Sequence, residues 1–335
     1  MRIWIDTDGG VDDALALVCA LAVSEGRLAG VSTVFGNVSP RRAARNAALV
    51  QAFYPGKSAA VHVGADRPLT GHPWQDAHAI HGEDGLGGVT ADHALAFETG
   101  VVREAHPDET ADALAAFARE AGAAGRLVCI GPMTNLARAL LRDAEAFAGI
   151  GRIVCMGTSL SVPDVRRDRA EFNASSDLEA ARIVLEQAPK LLIMPLDTCR
   201  RVVMERAWLA RLADRHERPV LTFLRRAHAH YMDAYQAMEG IDGCYPHDAL
   251  AVAAALAPEA GLFAVEPGRY ALGEDGAFTG LLLPDPAARR IEVARDVDAA
   301  RALDWIETCL TLSAELTPLG GRPYTGSGKD NSNAP

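Results

Sequence analysis

Short β-branched apolar runs alternate with amphipathic stretches, and this rhythm restricts the fold more than any other feature of the chain. Strands are expected at Ile3–Asp6, Ala29–Val34, Ala60–Val63, Leu127–Ile130, Ile153–Met156 and Leu191–Pro195, with helices at Asp12–Ser24, Pro40–Phe53, Glu109–Ala121, Thr134–Leu141 and Leu178–Gln187. The strand runs are apolar throughout rather than at every second residue, so both of their faces must be covered. That predicts an α/β fold: a doubly wound, mostly parallel central sheet with helices on both faces and a Rossmann-like core. Ligands in such sheets sit beyond the carboxyl ends of the strands, so functional residues should follow strands.

Between Glu205 and Leu256 the pattern turns helical, with Met232, Tyr235 and Met238 at a spacing that suits core packing. Beyond it, two or three short strands and a last amphipathic helix, Ala299–Leu316, are expected. No Pro- or Ser-rich linker and no internal repeat interrupts residues 1–316, which read as a single domain. Residues 317–335, dominated by Gly, Ser, Asn and Pro, are expected to be disordered. Two long connections, Gly64–Ala91 and Gly157–Ser176, are candidates for functional loops.

The 33 Lys and Arg against 44 Asp and Glu give a net charge of −11, which argues against a nucleic-acid partner. No apolar run is long enough for a membrane span. The six cysteines are scattered without a C-x-x-C and lie in apolar runs, as reduced buried thiols do. Met1–Asp6 reads as a strand from the outset, with no apolar leader. A cytoplasmic enzyme is expected.

Asp6-Thr7-Asp8-Gly9-Gly10-Val11-Asp12-Asp13 places four carboxylates between a strand and a helix. Helix capping uses one or two acids. Four at one strand end repel one another unless shared protons or a cation offset the charge, and a hard divalent cation with oxygen ligands is the better account. Gly36-Asn37, Gly131-Pro132-Met133-Thr134-Asn135 and His247-Asp248 could supply further ligands to the same mouth.

These residues resemble the inosine–uridine nucleoside hydrolase family. The resemblance rests on D-T-D-G-G-V-D-D-A (Asp6–Ala14), T-V-F-G-N (Thr33–Asn37), I-H-G-E-D-G (Ile80–Gly85), G-P-M-T-N-L-A (Gly131–Ala137), A-E-F-N (Ala170–Asn173) and H-D-A-L-A (His247–Ala251), in that order. It implies a nucleoside hydrolase-like fold and a Ca²⁺-dependent N-ribohydrolase, with the ion held by Asp8, Asp13, Asp248 and the main-chain carbonyl of Thr134. By the same resemblance Asp12, Asn37, Glu171 and Asn173 would hold the ribose and Asp6 would support the metal site. Phe172 would wall the pocket, and His81 and His247 would lie near the leaving base. Asp8 would act as general base on a calcium-bound water. His247 or His81 would protonate the base, since an ordinary imidazole titrates near neutrality. A homodimer or homotetramer acting on a small-molecule nucleoside is implied.

The chain departs from the family pattern at Gly9 (commonly Pro), at Thr158 in Met156-Gly157-Thr158 (commonly a second Gly), and at Val165, where an Asn that binds the 5′-hydroxyl is usual. The charged stretch Asp164–Arg169 reads as a solvated loop, the alternative being a subsite for an anionic 5′ group. Trp74 could stack on a base or pack a loop, and Tyr231 or Tyr235 could close the pocket. Two rival readings are a haloacid-dehalogenase-like phosphatase using Asp6 and Asp8, and a non-catalytic nucleoside- or ribose-binding protein. The first would leave Asp12-Asp13, Asn173 and His247-Asp248 without a role.

Overall fold

The computed structural model describes residues 1–24, 26–90, 101–161, 171–275 and 278–312. The stretch around Val165 and the tail from 317 lie outside the described residues. Within them the strands are β1 (Arg2–Thr7), β2 (Leu28–Thr33), β3 (Val61–Val63), β4 (Val102–Arg103), β5 (Gly125–Cys129), β6 (Arg152–Met156), β7 (Leu191–Met194), β8 (Met204–Glu205), β9 (Gly243–Cys244), β10 (Phe263–Asp275), β11 (Phe278–Pro284) and β12 (Arg290–Val297). The α-helices are α1 (Val11–Ser24), α2 (Pro40–Ala52), α3 (His78–His81), α4 (Pro107–Ala121), α5 (Thr134–Asp143) and α6 (Phe172–Ser176). They continue with α7 (Leu178–Gln187), α8 (Leu196–Cys199), α9 (Arg206–His216), α10 (Pro219–Glu239), α11 (His247–Leu256) and α12 (Ala299–Thr311).

One sheet runs in the order β11-β10-β12-β7-β6-β5-β1-β2-β3-β4, parallel from β12 to β4. β1 lies between β2 and β5, so the chain winds away from it in both directions. This is the switch point where a doubly wound sheet opens its ligand crevice. β1 shows why the strands read as continuous apolar runs: Ile3 and Ile5 enter the core under α1 and α11, while Trp4 enters the core under α4 and α5 on the other face. α11, with five alanines between His247 and Leu256, is buried over its whole length and packs on α1. Small side chains let the two backbones approach closely, and both helices begin at the mouth of the sheet.

The expected strands and helices are present with ends displaced by one or two residues, and the C-terminal third is where the expectation fails. Its strands are not short. β10 spans thirteen residues and pairs antiparallel with both β11 and β12. The alternating apolar pattern of a sheet edge with one exposed face is weaker than that of the buried strands. The last helix spans Ala299–Thr311, with Thr308 and Thr311 bonding back to carbonyls of the preceding turn, which weakens a helix end; residues 313–316 of the expected helix lie outside the described residues. α4 starts two residues earlier than expected, at Pro107, with His106 and Glu109 closing a capping box. The second long connection contains α6, N-capped by Glu171. β4 and the small β8–β9 pair were not foreseen, being only two residues long.

Candidate active site

Asp8, Asn37 and Thr134 follow β1, β2 and β5, as expected for the mouth of the sheet. Glu171 follows β6 and His81 follows β3 after longer loops, whereas His247 and Asp248 follow β9, outside the main sheet. Carboxylate oxygens of Asp12, Asp13 and Asp248 lie within 4.8 Å of one another, all buried. Asp12 and Asp13 occupy the first turn of α1 and Asp248 that of α11, so two helix N-termini turn their positive ends to these acids.

Asp8 sits beside this trio. Its Oδ2 accepts from the Asn37 backbone N–H (2.8 Å) and its Oδ1 from Asn37 Nδ2 (3.0 Å), while the same Nδ2 reaches Asp13 Oδ2 at 3.1 Å. Asn37 thus ties the two acids together. Asp13 also accepts from Thr7 Oγ1, Asp8 N–H and Gly10 N–H, which folds the turn around its carboxylate. A Cβ at Gly36 would collide with Asp8 Oδ2, so only glycine lets the β2 loop close over that acid. Burial first, then the charge of Asp13, pushes the Asp8 carboxyl well above the usual carboxylate range. Asp12 is raised to about 8 by the same causes, and Asp248 is raised by burial and then by Asp12, Asp13, Asp8 and Glu171. Asp12 Oδ1 is buried without a hydrogen-bond partner. An all-oxygen cluster of buried acids with an unpartnered oxygen fits a hard divalent cation.

Asp6 lies deeper. Its Oδ1 accepts from Ser32 Oγ and Asn135 Nδ2 (2.8 Å), and burial raises it to about 7. Asp6 does not line the cavity, and neither do Asp8, Asp13 and Thr134. Asn135 thus braces Asp6. Thr134 Oγ1 donates to Asp177 Oδ2 (2.7 Å), which anchors the start of α5 and with it the Thr134 main chain.

Above the acids opens a cavity of about 230 Å3, whose wall combines Asp12, Asn37, Glu171, Asn173 and Asp248 with aromatic and apolar side chains, Phe172 among them. The Glu171 carboxylate accepts from the backbone N–H groups of Asn173 (2.9 Å), Ala174 (2.8 Å) and Thr158 (2.7 Å). Burial still outweighs these bonds and raises its pKa. Asn173 spends its Nδ2 on the Ile130 and Met156 carbonyls, both at 3.2 Å.

His81 Nδ1 accepts from Val11 N–H (3.0 Å), which puts the proton of the neutral ring on Nε2, and the ring stacks on Tyr231 with centroids 4.9 Å apart. His247 Nε2 lies 3.0 Å from Tyr235 Oη, and its Nδ1 has no partner. Burial pushes both imidazoles down to about 3, helped by neighbouring histidines for His81 and by Arg200 for His247. Neither ring therefore carries the near-neutral titration expected from sequence. Trp74 packs on Phe35 and donates to the Asp66 carbonyl (2.9 Å) away from the cavity, and His78 pairs with Asp76. Sequence reasoning left Tyr231 and Tyr235 open and did not single out Arg200 or Glu239, all four of which line the cavity. The repeat Tyr231, Tyr235, Glu239, four residues apart on one helix face, was the available signal.

Residues 3–304 match the family described as inosine-uridine preferring nucleoside hydrolase. The chain belongs to this family. Among its relatives is the non-specific ribonucleoside hydrolase RihC of Shigella boydii, 30% identical over 332 residues, covering 94% of this chain and 99% of the relative. Uridine nucleosidase 1 of Arabidopsis thaliana is 26% identical, covering 92% and 93%. A purine-preferring ribonucleoside hydrolase from Gardnerella vaginalis superposes with a TM-score of 0.82 at 27% identity, covering 92% and 98%. Nucleoside hydrolases are enzymes, and neither the phosphatase nor the binding-protein reading is favoured. Among the described residues no helix is long and apolar enough to cross a membrane.

Proposed function

We propose that the protein hydrolyses the N-glycosidic bond of ribonucleosides to free base and ribose, with Asp8 as general base beside a Ca²⁺ held by Asp8, Asp13, Asp248 and the Thr134 carbonyl. The supporting observation is that one cavity joins buried acids, two of them from the tight Asp12, Asp13 and Asp248 cluster, to a wall of aromatic side chains. Asp13 and Asp248 belong to the tight trio as well as to this ligand set, while Asp12 is left to face the sugar. Bound there, calcium would orient the ribose hydroxyls and polarise the attacking water.

The protein's own groups then have defined tasks. Asp8 already accepts two hydrogen bonds from Asn37, and a carboxylate with about four acceptor positions retains room for a water proton. Taking that proton requires hydrogen-bond reach to the water rather than an extreme proton affinity. Glu171 is clamped by three N–H groups, so it holds a sugar hydroxyl without rotating away. With Asn173 Nδ2 occupied, its Oδ1 is the free acceptor. The surrounding negative charge stabilises the oxocarbenium-like state as the bond to the base lengthens. On the same wall, Tyr235 can donate to His247 Nε2, which places the His247 proton on the unpartnered Nδ1, a neutral donor to the departing base.

A panel of nucleosides with reducing-sugar detection, with and without a calcium chelator, tests this reading. Release of ribose that stops on chelation and returns with Ca²⁺ is expected. Binding without loss of any nucleoside would refute it. We place the protein in the cytoplasm, to which its six free, buried thiols are suited, as a homodimer or homotetramer measurable by light scattering.

A further inference from the structure

The cavity wall holds an ion pair, Arg200 with Glu239, that hydrolysis as described does not use. Tyr231, Tyr235 and Glu239 follow one another along one face of α10, each step about 6 Å along the axis. A path from His81 over these residues therefore leads to Glu239. This residue ends α10, where a carboxylate opposes the helix dipole. Arg200 offsets that charge with two parallel bonds, Nη1 to Oε1 at 2.9 Å and Nη2 to Oε2 at 2.7 Å, and Tyr245 Oη adds a third to Oε2 at 2.9 Å. The guanidinium also lies 5.0 Å from the Tyr245 ring centroid. With side chains 23% and 11% exposed, this is the least exposed arginine–carboxylate pair among the described residues.

The pairing uses one N–H on each terminal nitrogen. A guanidinium has five N–H donors in a rigid plane, so its Nε–H and an outer Nη–H remain as a second parallel pair. Arg200 is the only Lys or Arg lining the cavity among the described residues. Two parallel donors match two adjacent acceptors, and the O6/N7 edge of a 6-oxopurine presents that pattern. A 6-aminopurine keeps N7 but turns an N–H toward the second donor. As the glycosidic bond breaks, the electron pair leaves with the base and spreads onto N7 and O6. Both hydrogen bonds therefore strengthen, while Arg200 keeps its protons.

We propose that Arg200, oriented by Glu239, reads the O6/N7 edge of 6-oxopurines and sets the preference of inosine or guanosine over adenosine. This rests on the reading of the protein as a ribonucleoside hydrolase. Arg200 is then a specificity-determining residue and Glu239 a positioning residue.

The test measures kcat/KM for inosine and adenosine in the wild type, Arg200→Met, Arg200→Lys and Glu239→Gln, with thermal midpoints for each. Calorimetric binding of free hypoxanthine and adenine is measured on the same proteins. In Arg200→Met the inosine value is expected to fall roughly ten- to a hundredfold, the size of a lost charged hydrogen bond, and the inosine-to-adenosine ratio to collapse toward one. Arg200→Lys, which keeps the charge without the fork, does not restore the ratio, and Glu239→Gln lowers it in part. Hypoxanthine binds the wild type more tightly than adenine, and Arg200→Met removes the difference. Equal losses on both nucleosides, or unchanged hypoxanthine affinity with a lowered thermal midpoint, would overturn the proposal and make the pair a structural clasp. A wild type that cleaves no nucleoside yet shows Arg200-dependent hypoxanthine binding would refute the activity and leave the base reading standing.

Discussion

Replacing Thr158 should stabilise the protein. Thr158 has φ of 69°, a left-handed conformation that is costly for a β-branched residue, and it is fully buried. That geometry aims its N–H at Glu171 and its carbonyl at Leu196 N–H (3.0 Å). Its hydroxyl is buried without a partner. Thr158→Gly relieves ~1–2 kcal/mol of backbone strain and at least ~1 kcal/mol of unpaired hydroxyl. Against this stand ~0.5–1 kcal/mol of glycine chain entropy and ~1 kcal/mol for the lost methyl and its cavity. The balance is a gain of ~1 kcal/mol, or about 1–2 °C for a chain of this size. Thr158→Ala removes the hydroxyl and methyl but keeps the left-handed Cβ, so the Gly variant should exceed it by ~1 kcal/mol. Urea unfolding at fixed calcium measures both. A Gly variant less stable than the Ala variant would show that the backbone here is not strained.

Asp8→Asn keeps the shape of the side chain but not the base, and should lower kcat by ~10²–10⁴ in steady-state assays; a smaller loss would move the base elsewhere. Calcium titration should show weaker binding for Asp13→Asn and Asp248→Asn than for Asp12→Asn, and the reverse order would put Asp12 in the ligand set. Tyr235→Phe removes the hydroxyl that meets His247 Nε2 and should reduce kcat about tenfold with little change in KM; an unchanged kcat would break the Tyr235–His247 link. Asp6 and Asp12 hold their protons to about 7 and about 8 when folded but to about 4 when unfolded. The folded chain thus binds more protons between these values, and its stability falls as pH rises through that window. Thermal midpoints in chelator should decline from acid to mildly alkaline pH, and added Ca²⁺ should flatten the decline. A chelated protein that gains stability over that range would contradict the raised values.

The sequence by itself determined the parallel half of the sheet and the presence of an acidic mouth. Both are local signals: strands buried on both faces must be apolar throughout, and four acids within Asp6–Asp13 cannot be dispersed by any fold. The antiparallel edge of β10, β11 and β12 was blurred, since one exposed face tolerates polar residues. Only the tertiary structure decided which acids meet. Asp248 lies more than two hundred residues from Asp13 in the chain, and the packing of alanine-rich α11 on α1 brings their first turns together. The same holds for protonation: His81 and His247 read as ordinary imidazoles, and burial at the cavity wall makes them neutral. Glu239 was signalled only by its four-residue spacing from Tyr235 and Arg200 by nothing local, because an ion pair acquires a direction only when a fold turns one side of it toward a cavity.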